Sequence, residues 1–259
     1  MGKKYINQIF PEPNTIKISI RDIPSPSSIE QKKDQVERQI SEIKVFLGNC
    51  FQAAEILERE QEGEKLKNRQ RPVIHNFANN TRPGGPTNTF DKNGILLQQH
   101  KGADTQEDQI IRRYGKDLLL IPSLYPIIDE QTGVQNTEAL LYSTCGSKPP
   151  IITMPAPIAP RSGNKKVMEK FQQTIIDRIK LMLYVAHKYN NILITGLWGC
   201  GAFGLDPREL AKLWEQAINE SYHVPKNIVF AIILDDYSKK WGTEEDLVNM
   251  FSFKQQTSE

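Results

Sequence analysis

Residues 191–218, NILITGLWGCGAFGLDPRELAKLWEQAI, decide the predicted fold. Residues 192–195 form a short β-branched run that is typical of a buried strand, and four glycines follow before a helix begins. Asp206 is a helix-capping residue, Pro207 suits the first helical position, and Glu209 is placed to complete a capping box. Apolar residues then recur at helical spacing. The stretch therefore predicts a strand, a loop and a helix, in that order.

The loop between this strand and this helix has the composition of a phosphate-binding loop. Glycine allows positive φ and a close approach of the main chain to a ligand, and the N–H groups at a helix start favour negative charge. A glycine-rich turn without a ligand is the alternative. Trp198 and Phe203 inside the loop favour a wall against a sugar or a base. We expect a phosphate or pyrophosphate here.

Residues 199–204, GCGAFG, also match the dinucleotide-binding pattern G-x-G-x-x-G. A Rossmann domain needs several further strands after its first glycine turn. Here one predicted strand, residues 228–234, and a short tail follow. The late position of the loop in the chain therefore argues against a Rossmann domain.

Composition is that of an ordinary α/β protein with no marked charge bias. The chain has 259 residues, which is enough length for one large core, and its net charge is +2. The scattered basic pairs do not predict nucleic-acid binding. The three cysteines are far apart, so neither a disulfide framework nor a metal site is expected. Cys200, between two glycines, is interpreted as a packing residue, because no histidine lies nearby in sequence to activate it as a nucleophile.

No apolar run is long enough to span a membrane, and the first residues lack the apolar core of a signal peptide. These observations predict a soluble cytoplasmic protein with no membrane partner, although delivery into another cell stays open. We also expect a monomer that uses no cofactor.

The N-terminal part, residues 1–71, is predicted to be an extension of the main domain, residues 72–259. A possible edge strand covers residues 15–20. Residues 28–59 carry an apolar stripe at three- and four-residue spacing, which predicts one long helix packed on the core. A dimerising coiled coil is the alternative, but the heptads are few.

The main domain alternates predicted strands with amphipathic helices. Two of the strands, residues 139–142 and 151–154, have no helix between them. This pattern predicts a three-layer α/β/α domain with a mixed central sheet. Further strands are predicted at residues 72–78 and 118–121, and helices after Thr105 and between Met168 and Ala186.

A second polar loop, NNTRPGGP at residues 79–86, follows the strand at 72–78 and continues to about residue 103. Long loops in compact domains are usually functional. The helix after it starts with Thr105, and Asp108 stands three positions later in the pattern of a capping box. Residues 88–104 contain Asp91, His100 and Asp104, and we expect this part of the loop to set substrate choice.

Three motifs in this order resemble the macrodomain family and, within it, the bacterial-type poly(ADP-ribose) glycohydrolases. The first is NFAN at residues 76–79 followed by PGG at 83–85. The second is TQED at residues 105–108, followed by two arginines at 112–113. The third is GLWGCGAFGLDP at residues 196–207. Together they span residues 72–236.

The resemblance implies that the chain binds ADP-ribose across the carboxyl ends of the strands and hydrolyses the glycosidic bond at the distal ribose. Glu107 and Asp108 would be the catalytic pair facing the anomeric carbon, with Asp108 as the acid and base and Glu107 orienting a ribose hydroxyl. Asn79 would hold ribose hydroxyls, and Phe203 would lie against the distal ribose. The implied ligand-binding residues are Asn76, Phe77, Ala78, Asn79, Gly84, Gly85, Gln106, Gly196, Gly199, Cys200, Gly201, Ala202, Phe203 and Gly204.

Two departures from the family pattern concern the reacting end of the ligand. The spacer between Gly85 and Gln106 is long, and Asp108 replaces a glutamate. Hydrolysis of mono-ADP-ribosylated protein, for example at arginine, is therefore an alternative to cleavage of the polymer. A non-catalytic ADP-ribose reader is a second alternative. From spacing alone, capping and the helix dipole explain acids at the second and third helical positions better than catalysis does, and it is the resemblance that favours a catalytic pair.

Overall fold

The computed structural model describes residues 13–24, 42–61, 70–84, 88–90, 93, 96–99, 105–115, 118, 120, 122–128, 138–161 and 163–253. Its centre is a seven-stranded mixed sheet with the strand order β1-β6-β7-β3-β8-β9-β2, and β4 and β5 form a separate antiparallel hairpin. The strands are β1 (Asn14–Ser19), β2 (Glu42–Leu47), β3 (Val73–Ala78), β4 (Asn88–Phe90), β5 (Leu96–Gln99), β6 (Ala139–Cys145), β7 (Lys148–Pro155), β8 (Ile192–Thr195) and β9 (Asn227–Ile232).

Helices cover both faces of this sheet. The crossovers β7 to β8 and β8 to β9 run towards the β2 edge, whereas the crossover from β2 to β3 runs the opposite way. Because such crossovers are right-handed, they place helices on opposite faces. The three-layer α/β/α prediction is confirmed. The helices are α1 (Cys50–Glu60), α2 (Gln106–Tyr114), α3 (Lys165–Tyr189), α4 (Pro207–Glu220) and α5 (Glu244–Met250).

The inner strands of the sheet explain where the site lies. Strands β7, β3, β8, β9 and β2 are parallel neighbours, so their carboxyl ends meet at one edge of the sheet. β8 is buried at all four positions, as expected for a parallel strand covered on both faces. The loops that follow β3, β8 and β9 therefore lie side by side at this edge.

The prediction of one long helix over residues 28–59 is wrong, because a strand lies before Gly48 and, of the described residues in this range, only those from Cys50 onward are helical, in α1. Residues Glu42–Leu47 are strand β2, which pairs in parallel with β9 at the edge of the sheet. The first four residues of the segment, EIKV, alternate polar and apolar side chains, which is the period of a strand. Gly48 ends the strand, and the Asn49 side chain caps α1. Residues 28–41 lie outside the described part of the chain.

The predicted edge strand near residues 15–20 is confirmed as β1, which pairs with β6. Together with β2, it gives the central sheet both of its edges, so the described parts of the N-terminal extension are integral to the sheet. The strand predicted at residues 118–121 is wrong, because the described residues Leu118 and Leu120 are not in a strand and Pro122–Leu124 is a short 3-10 helix.

Helix α4 begins as predicted, with Pro207 in its first turn and the Asp206 side chain accepting a hydrogen bond from the N–H of Arg208. The predicted capping box is wrong in its second half. Glu209 turns towards neighbouring side chains and accepts from Gln172 Nε2 at 3.4 Å, with Lys212 Nζ also at 3.4 Å. The aspartate alone caps the helix.

Two features are absent from the described residues. Within the described ranges, no helix combines the length and the apolar character that a bilayer crossing demands. The same residues contain no group of three histidine, cysteine or carboxylate side chains placed to hold a metal ion.

Candidate active site

The carboxyl ends of β3, β8 and β9 open into a cleft of about 580 Å³. Its walls are the end of β3 with Gly84, the start of α2, the glycine-rich loop 196–204, and the segment after β9. Most of the ligand-binding residues predicted from sequence line this cleft. Asn76, Gly196 and Gly204 do not line it, and Gly85 lies outside the described residues.

Glu107 is a buried carboxyl group in the wall of the cleft, with 6% of its surface exposed. Its Oε1 accepts from the N–H of Gly84 at 3.1 Å, and its Oε2 accepts from the N–H of Asn79 at 3.2 Å. The pKa of Glu107 is raised to about 7, chiefly by burial and also by the charge of Asp108. The two hydrogen bonds act in the opposite direction and lower this pKa. The structure thus orients this carboxyl group and lets it hold a proton near neutral pH.

Two further polar side chains surround Glu107. The side chain of Asn76 donates to it and so lowers its pKa, while the Oδ1 atom of Asn76 has no partner among the described residues. The Tyr125 hydroxyl is also buried without such a partner. Burial and the charge of Glu107 hold the pKa of Tyr125 well above its usual value, so its hydroxyl stays protonated. The carboxyl group therefore lies in a compact polar cluster.

Asp108 is also buried in the cleft wall, but its carboxylate has a structural partner. Its Oδ2 accepts from the N–H of Thr105 at 3.2 Å and from the Thr105 hydroxyl at 2.9 Å, which completes the predicted capping box. The two adjacent acids therefore have different surroundings. Glu107 faces the loop after β3, and Asp108 caps the helix that carries them both.

Gln106 joins helix α2 to strand β3. Its Oε1 accepts from the N–H of Phe77 at 2.8 Å, and its Nε2 donates to the carbonyl oxygen of His75 at 2.6 Å. The amide thus pairs with β3 as a neighbouring strand would. Gln106 lines the cleft, as predicted. Both polar atoms of its side-chain amide are hydrogen-bonded to the main chain of β3, and these bonds fix the position of the neighbouring Glu107 relative to β3.

Asn79 organises the loop after β3. Its Oδ1 accepts from the N–H and hydroxyl of Thr81 at 2.9 and 2.8 Å, and from the N–H of Arg82 at 3.2 Å. This side-chain turn shapes the segment between the N–H groups of Asn79 and Gly84, both of which bind Glu107. The oxygen of Asn79 is therefore used within the loop.

The glycine-rich loop has the backbone freedom that its sequence predicts at two positions, because Gly199 and Gly204 have φ values of 78° and 76°. Gly196 has another constraint, since a Cβ there would lie 2.5 Å from the carbonyl oxygen of Ala231. A Cβ on Gly201 would meet no atom within 4 Å. Gly201 is thus the glycine of the loop that faces open space.

Two side chains of this loop are buried more deeply than an exposed ligand wall requires. Trp198 is fully buried at the base of the cleft, and its Nε1–H donates to the carbonyl oxygen of Met154 at 3.1 Å. Cys200 is 1% exposed, and burial raises the pKa of its thiol, so it is a packing residue rather than a nucleophile. Phe203 lines the cleft and is only partly buried.

His75 supports the floor of the cleft without reaching it. Its Nε2 lies 3.3 Å from the carbonyl oxygen of Met154 and its Nδ1 lies 2.9 Å from the Thr195 hydroxyl. Burial lowers the pKa of His75 to about 3, so the ring is neutral. The neutral ring donates to the Met154 carbonyl and accepts from Thr195, and it links β3, β7 and β8 below the site.

Sequence reasoning missed the contributions of Tyr125 and of the segment after β9, where Asp235 and Tyr237 line the cleft. Tyr125 belongs to a segment that is tied to the loop after β3, because Asn80 exchanges hydrogen bonds with the main chain of Ile127 and Ile128. Neither segment carries a motif. The one signal in the sequence for Tyr237 is that it follows the carboxyl end of the predicted strand β9.

No protein-family model matches this sequence, and no curated protein sequence matches it. Several solved structures do. Poly(ADP-ribose) glycohydrolase from Deinococcus radiodurans in complex with ADP-ribose has a TM-score of 0.62 and 19% identity, and 92% of each chain is covered. The enzyme from Thermomonospora curvata has a TM-score of 0.60 and 19% identity, with 92% of this chain and 85% of the other covered. The Thermomonospora curvata enzyme bound to the inhibitor ADP-HPD has a TM-score of 0.57 and the same identity.

The structural similarity covers 92% of this chain. At 19% identity it shows the fold alone, an α/β/α domain with a seven-stranded mixed sheet. More narrowly, the chain has the fold of the bacterial poly(ADP-ribose) glycohydrolases, as the three sequence motifs predict.

Proposed function

We propose that this protein is an ADP-ribosyl glycohydrolase, which binds ADP-ribose in the cleft and hydrolyses the glycosidic bond at the distal ribose. The observation that carries the proposal is Glu107, a buried carboxyl group in the cleft wall that two backbone N–H groups orient and that has a pKa of about 7. The similar solved structures support it, because they are glycohydrolases, one of them in complex with ADP-ribose.

The glycine-rich loop is the proposed diphosphate site. Among the described residues, the N–H groups of Gly201, Ala202 and Phe203 have no hydrogen-bond acceptor, and all three residues line the cleft. Free N–H groups next to a helix start favour a phosphate group. A diphosphate on this loop would leave the distal ribose to extend towards Gly84 and Glu107 on the opposite wall.

Glu107 supplies the proposed acid and base. The protonated carboxyl group gives its proton to the leaving oxygen or nitrogen as the bond to the anomeric carbon breaks, and positive charge develops on the ribose. The resulting carboxylate stabilises that charge and then takes a proton from the water that forms the new C–O bond. A pKa near 7 lets one group perform both steps at neutral pH.

The geometry changes the division of labour between the two acids. Because the Asp108 carboxylate already caps α2, we assign proton transfer to Glu107 and a supporting role to Asp108. We expect Asp108→Asn to cost about 1 kcal/mol of stability and to keep measurable turnover. Urea unfolding and ADP-ribose release, measured on the same samples, test this. An Asp108→Asn variant that folds normally but has no activity would return Asp108 to the centre of the mechanism.

Calorimetry with ADP-ribose, AMP and NAD tests the binding half of the proposal. We expect ADP-ribose to bind more tightly than AMP, because it also presents a second phosphate and the distal ribose to the cleft. Folded protein that binds neither ADP-ribose nor AMP would end the proposal. A preference for NAD over free ADP-ribose would instead support a dinucleotide-binding site.

The hairpin of β4 and β5 is the proposed determinant of substrate choice. The hairpin lies in the connection between Gly84, whose N–H binds Glu107, and α2, which carries Glu107. Replacing residues 88–99 with a short glycine and serine linker should change the preference between poly(ADP-ribose) and mono-ADP-ribosylated protein. If the ratio of the rates on the two substrates is the same as in the intact protein, the hairpin has no part in substrate selection. Asp91, His100 and Asp104 lie outside the described residues.

A further inference from the structure

The glycine-rich loop is held from outside by the segment after β9. The Tyr237 hydroxyl donates to the carbonyl oxygen of Cys200 and also lies 3.4 Å from the carbonyl oxygen of Gly201. These residues are 37 and 36 positions apart in the chain. The contact therefore connects two separate walls of the cleft, and no motif within the loop itself accounts for it.

Tyr237 is placed by a compact turn of its own. The Asp235 carboxylate accepts from the N–H of Tyr237 at 2.9 Å and from the N–H of Ser238 at 2.7 Å, and the N–H of Asp235 donates to the Ser238 hydroxyl at 3.0 Å. Ser238 is buried, whereas Tyr237 is 40% exposed. The turn thus anchors the base of the tyrosine and leaves its hydroxyl to contact the loop.

Holding a carbonyl oxygen also fixes the N–H group that follows it. In a trans peptide the C=O and N–H bonds point in opposite directions. When Tyr237 binds the carbonyl oxygens of Cys200 and Gly201, the N–H groups of Gly201 and Ala202 point away from its hydroxyl. These are two of the N–H groups that have no acceptor among the described residues and that line the cleft.

We propose that Tyr237 is a positioning residue for anion binding: its hydroxyl fixes the peptide planes of Cys200 and Gly201, so that the loop presents a prearranged pair of N–H donors to a diphosphate. The identity of the ligand in this inference rests on the proposed function, whereas the contact of Tyr237 with the loop does not. Prearranged donors bind a phosphate without first ordering the loop, and this removes a cost of binding.

Tyr237→Phe removes the hydroxyl and keeps the ring. We expect ADP-ribose binding to weaken about fivefold, the usual net effect of one hydrogen bond, while adenosine, which has no phosphate, binds as before. Calorimetry for ADP-ribose and an NMR titration for adenosine give the two affinities. The matched control is Tyr222→Phe, at a 57% exposed tyrosine outside the cleft, which should change neither.

A second measurement needs no ligand. The N–H groups of Gly204 and Leu205 donate within the loop to the carbonyl oxygens of Gly201 and Gly199, each at 3.0 Å. We expect hydrogen exchange at these two amides to be faster in Tyr237→Phe than in the wild type and in Tyr222→Phe. Unchanged exchange would overturn the proposal.

The outcomes separate this inference from the proposed function. If the wild type binds ADP-ribose and Tyr237→Phe binds it equally well, the positioning role is wrong and the function stands. An equal loss for ADP-ribose and adenosine would also overturn it, because it would indicate a general effect on the cleft. If the wild type binds no ADP-ribose, the proposed function fails, and the exchange of Gly204 and Leu205 alone decides whether Tyr237 holds the loop.

Discussion

We expect Glu107→Gln to remove nearly all turnover while ADP-ribose still binds. The amide preserves the shape of the side chain but cannot transfer a proton, and such a loss typically lowers the rate about 10²- to 10⁴-fold. Single-turnover release of ADP-ribose gives the rate, and calorimetry gives the affinity. The control is Glu55→Gln, at a half-exposed glutamate that pairs with Arg113 outside the cleft. Full activity in Glu107→Gln would remove Glu107 from the chemistry.

The same substitution has an expected effect on stability with a definite sign. Folding raises the pKa of Glu107 from 4.5 to about 7, so between these values the folded state binds a proton that the unfolded state releases. The stabilising effect of Glu107 is complete below about pH 4.5 and is lost as the pH rises through 7. Glutamine does not titrate. Relative to the wild type, Glu107→Gln should therefore gain up to about 3 kcal/mol of stability between pH 4.5 and pH 8.

Urea unfolding of both proteins at several pH values measures this change. Asp108, whose charge raises the pKa of Glu107, and Tyr125 are the other titratable groups that interact with Glu107, and both are present in the variant. The difference between the two proteins thus isolates Glu107. A difference that stays constant with pH would show that the carboxyl group is ionised throughout and is unsuited to act as an acid near neutral pH.

We expect Gly201→Leu to abolish ADP-ribose binding without unfolding the protein. The backbone of Gly201 needs no positive φ, and a Cβ there meets no atom within 4 Å, so the folded protein accommodates the side chain. The added side chain would occupy space at the proposed diphosphate site. We expect affinity to fall at least about 100-fold, which corresponds to about 2.7 kcal/mol. Calorimetry measures the affinity and thermal unfolding measures the fold.

Gly163→Leu is the matched control for Gly201→Leu. Gly163 also has open space around its Cα and lies outside the cleft lining, so leucine there should leave binding unchanged. Gly196 would be a poor choice, because a Cβ would lie 2.5 Å from the Ala231 carbonyl oxygen and would disturb the sheet. If Gly201→Leu binds ADP-ribose like the wild type, the glycine-rich loop is not the diphosphate site.

Local signals explain which parts of the fold could be predicted from sequence. β8, the glycine-rich loop and α4 were predictable, because a short β-branched run, a glycine cluster and a capped amphipathic helix follow one another directly. β2 was not, because its few apolar residues also fit the helical stripe that continues into α1. Its pairing with β9, nearly 200 residues later, decides in favour of a strand. Tertiary contacts here override the local pattern.

The candidate site could be predicted only as far as its motifs extend. The motifs place Glu107, Asp108 and the glycines together, and the structure brings them to one cleft. The capping-box spacing already predicts the contact of Asp108 with Thr105. The contacts of Glu107 with Gly84 and Asn79 could not be predicted, because they join α2 to a loop more than 20 positions earlier in the chain. Tyr125 and Tyr237 reach the site through distant contacts that no spacing rule reveals.

Release of ADP-ribose from defined substrates tests the central claim most directly. The wild type and Glu107→Gln are incubated with poly(ADP-ribose) and with proteins that carry one ADP-ribose on arginine or on a carboxylate, and free ADP-ribose is followed over time. We predict release from at least one substrate by the wild type and almost none by Glu107→Gln. Tight binding of ADP-ribose by the wild type with no release from any substrate would contradict the proposed hydrolysis and identify the protein as a reader.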